Sequence, residues 1–155
     1  MDIVIETPKG SRIKYKYDEN HKLFRLKKIL PAGLVFPFDF GFIPGTKGED
    51  GDPIDILIIS EFQGFPGCLM DCRIIGCIQV EQTFEGKTIR NDRFLGVPEK
   101  SAVFENAISI EDIPSTIITQ IEAFFVNYME GEGKSILLLG NLNASQAIHE
   151  LNVER

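Results

Sequence analysis

The order of strand-like and helix-like patterns constrains the fold of this chain more than any other feature. From residue 3 to residue 97, short apolar or alternating segments recur between turns rich in glycine and proline. The predicted strands are 3–5, 13–17, 23–26, 34–43, 54–59, 68–82 and 89–97. Two helical patterns follow, at 112–130 and 144–153. Strands first and helices last predict an α+β fold, with helices packed on an antiparallel, barrel-like sheet.

Two of these segments carry more detailed predictions. Gly76 is expected to bend the long strand 68–82. In 112–130, Ile117, Ile121, Phe124 and Tyr128 recur three or four residues apart and therefore share one helix face. This pattern alone predicts that Tyr128 is a core residue rather than a functional one.

Length, charge and cysteine spacing narrow the class of protein. The 155 residues suit one domain spanning 1–155, and no apolar run reaches the length of about 18 residues that a membrane helix needs. A net charge of -7 argues against binding to a nucleic-acid backbone. Residues 1–4 do not resemble a signal peptide, so a cytoplasmic location is expected. The cysteines, Cys68, Cys72 and Cys77, lack the spacing of a disulfide scaffold or a zinc site.

Three aspartates stand close together where a loop enters the apolar strand 54–59. Asp50, Asp52 and Asp55 fall within six residues of sequence, and hard divalent cations prefer such carboxylate oxygens. Asp55 lies just inside the apolar strand, where burial of an unpaired carboxylate is costly and a cation would offset that cost. A bound cation would also let an acidic protein accept a polyphosphate. A solvated acidic turn is the alternative interpretation.

The residues around this cluster resemble the soluble family I inorganic pyrophosphatases. The segment Asp50-Gly51-Asp52-Pro53-Ile54-Asp55-Ile56 matches the signature of that family. Further segments on both sides of this signature also resemble the family and occur in the order expected for it, over nearly the whole chain. They are 5–11, 14–15, 36–46, 65–67, Arg73, Gly76, 96–98 and 124–128. The resemblance implies a small OB-like five-stranded antiparallel β-barrel with two C-terminal helices packed on it.

The same resemblance implies an enzyme, an inorganic diphosphatase that hydrolyses pyrophosphate to two phosphates with Mg2+ as cofactor. In that family, metal ions bridge the phosphates and activate the attacking water. Asp50, Asp52 and Asp55 are the expected metal ligands, with Asp52 also the general base, and Glu6 is expected to act through water. The side chains expected to contact pyrophosphate are Lys14, Lys28, Arg93 and Tyr128. A homo-oligomer, hexamer or dimer, is also implied.

Several positions depart from the family pattern. The substituted positions are Lys16 for a glutamate, Lys28 for an arginine, Phe40 for a tyrosine, Met129 for a lysine, and Gln82 and Asn91 for two metal-ligand aspartates. Glu81 and Asp92 adjoin the last two, but a one-residue shift on a strand turns the side chain to the opposite face. Whether either acidic residue replaces a missing ligand is open from the sequence.

These departures leave three functions open. The first is magnesium-dependent hydrolysis of pyrophosphate, at a rate that the missing ligands would reduce. The alternative is a catalytically impaired paralogue that binds a phosphorylated ligand or a protein partner. The third is hydrolysis of another phosphoanhydride or a phosphate ester, because Phe40 and Met129 make the expected pocket more apolar.

Overall fold

The structure, a computed structural model, describes residues 1–153, and the last two residues of the predicted 1–155 domain lie outside it. Between residues 1 and 153, no helix is both long and apolar enough to cross a lipid bilayer. The elements are β1 (Asp2–Thr7), β2 (Ile13–Asp18), β3 (Leu23–Ile29), β4 (Asp39–Phe42), β5 (Asp55–Ile58), β6 (Leu69–Phe84), β7 (Lys87–Arg90), β8 (Arg93–Pro98), a 3-10 helix (Ile110–Asp112), α1 (Ser115–Glu130), β9 (Ser135–Asn143) and α2 (Ala144–Val153).

Five strands close into a ring, because each of them pairs with two others. β1 pairs with β4 and β6, β5 joins β4 to β8, and β8 returns to β6. Four of the five pairings are antiparallel as predicted, whereas β5 and β8 run parallel. The excursion through β6 and β7 supplies the crossover that a parallel pair requires. The predicted α+β fold, with a small OB-like five-stranded sheet and two C-terminal helices, is confirmed apart from that pair.

Strand β5 is buried on both faces and separates two apolar clusters. Ile56 and Ile58 belong to a cluster that α2 completes, whereas Leu57 and Ile59 belong to the cluster that contains the buried face of α1. Successive strand residues point to opposite faces, so a continuous apolar run is what a strand between two cores requires. Asp55, at the start of this strand, is therefore held rigidly at the edge of the core.

Two predicted strands are interrupted. In 34–43, β4 begins only at Asp39, because Pro37 has no N–H to donate to a ladder. Before it, Phe36 exchanges hydrogen bonds with the turn after β1, accepting from Gly10 N at 2.8 Å and donating to Ser11 O at 3.1 Å. The predicted strand 89–97 is divided into β7 and β8, because the residues between Arg90 and Arg93 bond to β6 through side chains as well as backbone.

The C-terminal third departs further from the predicted order. β9 lies between the two helices and pairs with β6, so the helices are not consecutive. The segment of β9 does not alternate cleanly and contains Gly140, and its strand character comes from this long-range pairing. The first helix begins at Ser115 rather than at residue 112. Pro114 disfavours helical geometry at Ile113, which is extended at φ -87° and ψ 134°.

The predicted bend in β6 is present at Gly76. The pairing of β6 with β8 shifts register between Ile74 and Gly76. A Cβ atom at Gly76 would lie 2.7 Å from the carbonyl oxygen of Leu142 and 2.8 Å from Cβ of Ile110, so glycine lets β9 and the 3-10 helix approach the bend. Because of this bend, the first half of β6 pairs within the five-stranded ring, and its second half forms the β6–β7 hairpin beside the candidate site.

Candidate active site

A cleft of about 770 Å³ is lined by β2, the loop 44–53, the β6–β7 hairpin and the end of α1. Seven of the eight predicted site residues line it: Glu6, Lys14, Asp50, Asp52, Asp55, Arg93 and Tyr128. The eighth, Lys28, stands directly behind Tyr128, with its ammonium 4.9 Å from the centre of the Tyr128 ring. The fold therefore gathers residues from distant parts of the chain around one cavity.

Hydrogen bonds within the loop 44–53 fix the position of the aspartates. The backbone N–H of Asp52 donates to Asp50 Oδ1 at 3.0 Å, and the N–H of Gly48 donates to the carbonyl of Asp52 at 2.8 Å. Gly51 adopts φ +87°, in the left-handed region that favours glycine. The loop thus holds a tight turn that presents Asp50 and Asp52 to the cleft.

Two of the three aspartates already have a cationic partner from the chain. Arg93 Nη1 lies 2.7 Å from Asp55 Oδ2, with the side chains 3% and 22% exposed. Lys16 contacts Asp52 Oδ2 in a more open pair, with the side chains 38% and 52% exposed. Within the described part of the chain, Asp50 has no ion-pair partner. Burial and then the charges of Asp55 and Asp52 raise its pKa, which is the setting in which a cation is most favourable.

The oxygen donors in the cleft fit a hard divalent cation that keeps most of its waters. Within residues 1–153, no three carboxylate, thiol or imidazole groups converge as a ligand cluster. Magnesium commonly uses only one or two carboxylates together with waters and substrate phosphates. Gln82 Oε1 is buried in the cleft lining and accepts no hydrogen bond from any described residue. Such an orphaned oxygen is costly unless a ligand or water satisfies it, so Gln82 Oε1 adds a neutral oxygen donor to the carboxylates of Asp50 and Asp55 in the cleft lining.

The β6–β7 hairpin shows which face its acidic residues occupy. Gln82 and Asn91 line the cleft, whereas Glu81 is absent from the lining. Asp92 is turned away and is held by the Arg90 guanidinium at 2.7 Å and by the backbone N–H of Val80 at 2.8 Å. Neutral amides therefore stand at the two positions where the family pattern has aspartates. Asp92 is engaged by its own hairpin and lines a small hollow beside the main cleft.

Arg93, which is expected to contact pyrophosphate, is held by several groups of the chain itself. Its Nη1 also donates to the carbonyl of Asn91 at 3.0 Å and contacts Asn91 Oδ1. The guanidinium packs over the Phe125 ring, 5.4 Å from its centre. Arg93 Nε is buried and donates no hydrogen bond to any described residue. The arginine is therefore fixed first as the partner of Asp55, with Nε left as its unsatisfied donor.

The basic end of the cleft is organised around Tyr128. The Tyr128 hydroxyl donates to Glu132 Oε1 at 3.2 Å, and Lys28 Nζ contacts the same oxygen at 3.1 Å. Lys14 lies 5.2 Å from the centre of the Tyr128 ring. Lys134 completes the group 3.3 Å from Glu132 Oε2. Three cations and a phenol thus surround one carboxylate of the chain itself.

Glu132 and Lys134 were not among the predicted site residues, although the sequence contains a signal for them. They occur in Gly131-Glu132-Gly133-Lys134, directly after the helix that carries Tyr128. Charged residues between glycines at a helix end suit a turn that brings charge back towards the helix. Burial alone raises the pKa of Glu132, but Lys28 and Lys134 outweigh that effect, and the net shift is downward. Glu132 therefore remains an anion.

The charges lining the cleft are nearly balanced. Seven carboxylates face it: Glu6, Glu19, Glu49, Asp50, Asp52, Asp55 and Glu132. Six cations face it: Lys14, Lys16, Lys27, Lys87, Arg93 and Lys134. Phe40 and Met129, 3% and 4% exposed, form an apolar part of the lining. The cleft combines acidic, basic and apolar surfaces, as required to hold a metal cation and an anionic ligand together.

Glu6 is the most strongly perturbed carboxyl group of the cleft. It is 6% exposed and accepts a hydrogen bond from the backbone N–H of Tyr17 at 2.8 Å. Burial raises the pKa of Glu6 from its ordinary value of 4.5 to about 7, with a further upward contribution from Asp55. The protonated and ionised forms of Glu6 are therefore comparably populated in the folded protein near pH 7.

This shift predicts a pH-dependent stability. Because the folded pKa of Glu6 exceeds the unfolded value, folding favours its protonated form, and the penalty for ionising it grows as pH rises from about 4.5 to about 7. We expect this group to lower the free energy of unfolding by about 3 kcal/mol over that interval. Glu6→Gln, which keeps the acceptor for Tyr17, should remove that slope in urea denaturation measured across the pH series. The exposed control Glu105→Gln should retain it, and equal slopes in the two variants would contradict the prediction.

Comparison with known proteins gives one consistent result. A family model described as inorganic pyrophosphatase matches residues 3–154. The inorganic pyrophosphatase of Sulfolobus acidocaldarius is 33% identical over 99% of this chain and 88% of its own length. The crystal structure of inorganic pyrophosphatase from Thermus thermophilus matches with a TM-score of 0.90 at 30% identity, covering 99% of this chain and 88% of that one. An inorganic pyrophosphatase from Helicobacter pylori matches with a TM-score of 0.91 at 27% identity, covering 99% and 90%.

Proposed function

The chain belongs to the inorganic pyrophosphatase family, and on this premise we propose that it hydrolyses inorganic pyrophosphate to two phosphates with Mg2+ as its metal. The observation that carries the proposal is the shared cleft. The three aspartates of the signature line one cavity together with Lys14, Arg93 and Tyr128. Acidic groups that can hold a cation and donors that can hold a phosphate are thereby presented to one ligand.

In this proposal, the basic end of the cleft binds the phosphate oxygens. Lys14 and Lys28 supply positive charge beside the Tyr128 ring, at 5.2 and 4.9 Å from its centre. Burial, followed by the proximity of Glu132, raises the pKa of Tyr128, so the phenol stays protonated and can donate a hydrogen bond. The donors now satisfied by Glu132 would turn to the ligand, and Arg93 Nε is available as a further donor.

In the same cleft, Asp50, Asp55 and the amide oxygen of Gln82 would hold Mg2+, with Asp52 as a further carboxylate at the same loop. When bound, the metal neutralises charge on phosphate oxygens and acidifies the attacking water. Asp52 then accepts the proton of that water through a carboxylate oxygen, and its partial exposure gives water access to it. Glu6 supports the site through water, next to Asp55 and the two lysines of β2.

Removal of the metal gives the direct test of this function. Purified protein with pyrophosphate should release phosphate when Mg2+ is titrated in, and chelation with EDTA should lower the rate at least about 100-fold, because metal chemistry contributes several kcal/mol to such reactions. Added Mg2+ should restore the rate. The measurement is a phosphate-release assay across a Mg2+ series. Release that persists unchanged in EDTA, or no release at any Mg2+ concentration, would contradict the proposal.

Three narrower features belong to the same proposal. We expect a single domain over residues 1–155, a homo-oligomer, and action in the cytoplasm. Limited proteolysis tests the first, size-exclusion chromatography with light scattering tests the second, and fractionation of the source cells tests the third. A monomer at micromolar concentration would exclude the stable hexamer or dimer that the family resemblance suggests.

A further inference from the structure

Lys16 and Asp52 form an ion pair between β2 and the loop 44–53, on the aspartate proposed as the base. The Lys16 ammonium contacts Asp52 Oδ2, and neither side chain is buried. An exposed pair of this kind contributes little to folding stability. Its importance lies in its position, because the ammonium lies against an oxygen that a divalent cation would otherwise use.

The other two aspartates of the loop have different partners. Asp55 is held by Arg93, which is 3% exposed and is itself fixed by Asn91. Asp50 has no ion-pair partner within residues 1–153 and accepts one backbone hydrogen bond from Asp52. The facing hairpin adds the neutral amides Gln82 and Asn91 rather than negative charge. The chain therefore supplies a cation to two of its three aspartates, whereas Asp50 has no such partner within residues 1–153.

We propose that Lys16 is a tethered cation that takes the place of one metal ion at Asp52, so that the cleft binds one metal ion fewer than it would with a carboxylate at position 16. The inference rests on the proposed function for the identity of that ion. An ammonium on a flexible four-carbon stem is a compact point charge that can occupy the oxygen of a carboxylate. A divalent cation at the same oxygen would be repelled by it at short range.

Metal binding without turnover tests this proposal. The probe is Mn2+, whose binding to the purified full chain is counted by equilibrium dialysis and electron paramagnetic resonance in the absence of pyrophosphate. Lys16→Glu replaces the tethered cation by a ligand. Lys87→Glu makes the same charge change at an exposed residue of the cleft lining that has no ion-pair partner among the described residues. We expect Lys16→Glu to bind one Mn2+ more than the wild type, and Lys87→Glu to bind the wild-type number.

A second variant keeps the test decisive if Lys16→Glu does not fold. Lys16→Gln removes the competing ammonium without adding a carboxylate, and it should raise the affinity for Mn2+ about three- to fivefold, the upper part of the range set by loss of one exposed ion pair. Affinity within twofold of the wild type in Lys16→Gln overturns the proposal, as does an unchanged Mn2+ count in folded Lys16→Glu. Because no phosphate release is measured, the outcome is separate from that of the hydrolysis assay.

Discussion

Asp52→Asn should lower the rate of phosphate release from pyrophosphate by about 100-fold to 10,000-fold, the contribution expected of a positioned general base. Asparagine has nearly the same size as aspartate and can keep the backbone hydrogen bonds of the loop. It cannot accept the proton of the attacking water. Asp52 is half exposed, so the substitution should leave the melting temperature almost unchanged. The rate is to be measured as kcat at saturating Mg2+ and pyrophosphate.

A matched variant separates the role of the base from the role of the ion pair. Lys16→Gln removes the same contact but leaves the Asp52 carboxylate in place. An exposed ion pair is worth at most about 1 kcal/mol, so Lys16→Gln should change kcat by no more than about fivefold. If Asp52→Asn loses no more activity than Lys16→Gln, Asp52 acts through its contact with Lys16 and the base lies elsewhere in the cleft.

The sequence predicts those parts of the fold that depend on local pattern. The continuous apolar run 54–59 matches a strand between two cores, and the four-three-four spacing in α1 places Phe124 and Tyr128 on its buried face. The local sequence pattern does not predict β9, because this segment forms a strand through its pairing with the second half of β6. The same limit applies to the parallel pairing of β5 with β8, because local patterns carry no information on which strand lies beside which.

For the candidate site, the aspartate cluster is predictable from the chain, whereas the partner of each charge is not. Lys28 and Glu132 are 104 residues apart, and Lys16 and Asp52 are 36 apart. Such pairs arise when the folded sheet brings distant loops to one cavity. The side-chain direction in the hairpin is likewise set by register: Gln82 pairs opposite Ile89 and faces the cleft, whereas Glu81 pairs opposite Arg90. An acidic residue next to the expected position in the sequence therefore does not supply a metal ligand in the folded protein.

Arg93→Met should lower the free energy of unfolding of the metal-free protein by about 3 kcal/mol, because it removes the partner of a largely buried carboxylate. The value is at the lower end for a broken buried pair, since the Asp55 side chain keeps 22% exposure. It corresponds to a fall in melting temperature of roughly 6 to 12 °C for a domain of this size. Chemical denaturation in EDTA is the measurement. Lys16→Met is the matched control, whose loss should stay below about 1 kcal/mol because its ion pair is exposed.

The loss in Arg93→Met should come from the unpaired Asp55 charge rather than from lost packing against Phe125. Adding Asp55→Asn to Arg93→Met removes that charge, so the double variant should be more stable than Arg93→Met alone. Mg2+ should also restore part of the stability of Arg93→Met, because it can replace the guanidinium as the partner of Asp55 and binds the folded state selectively. If neither change restores stability, packing of the guanidinium dominates. If both do, Arg93 serves as a fixed counter-ion that keeps Asp55 charged and in place before a metal arrives.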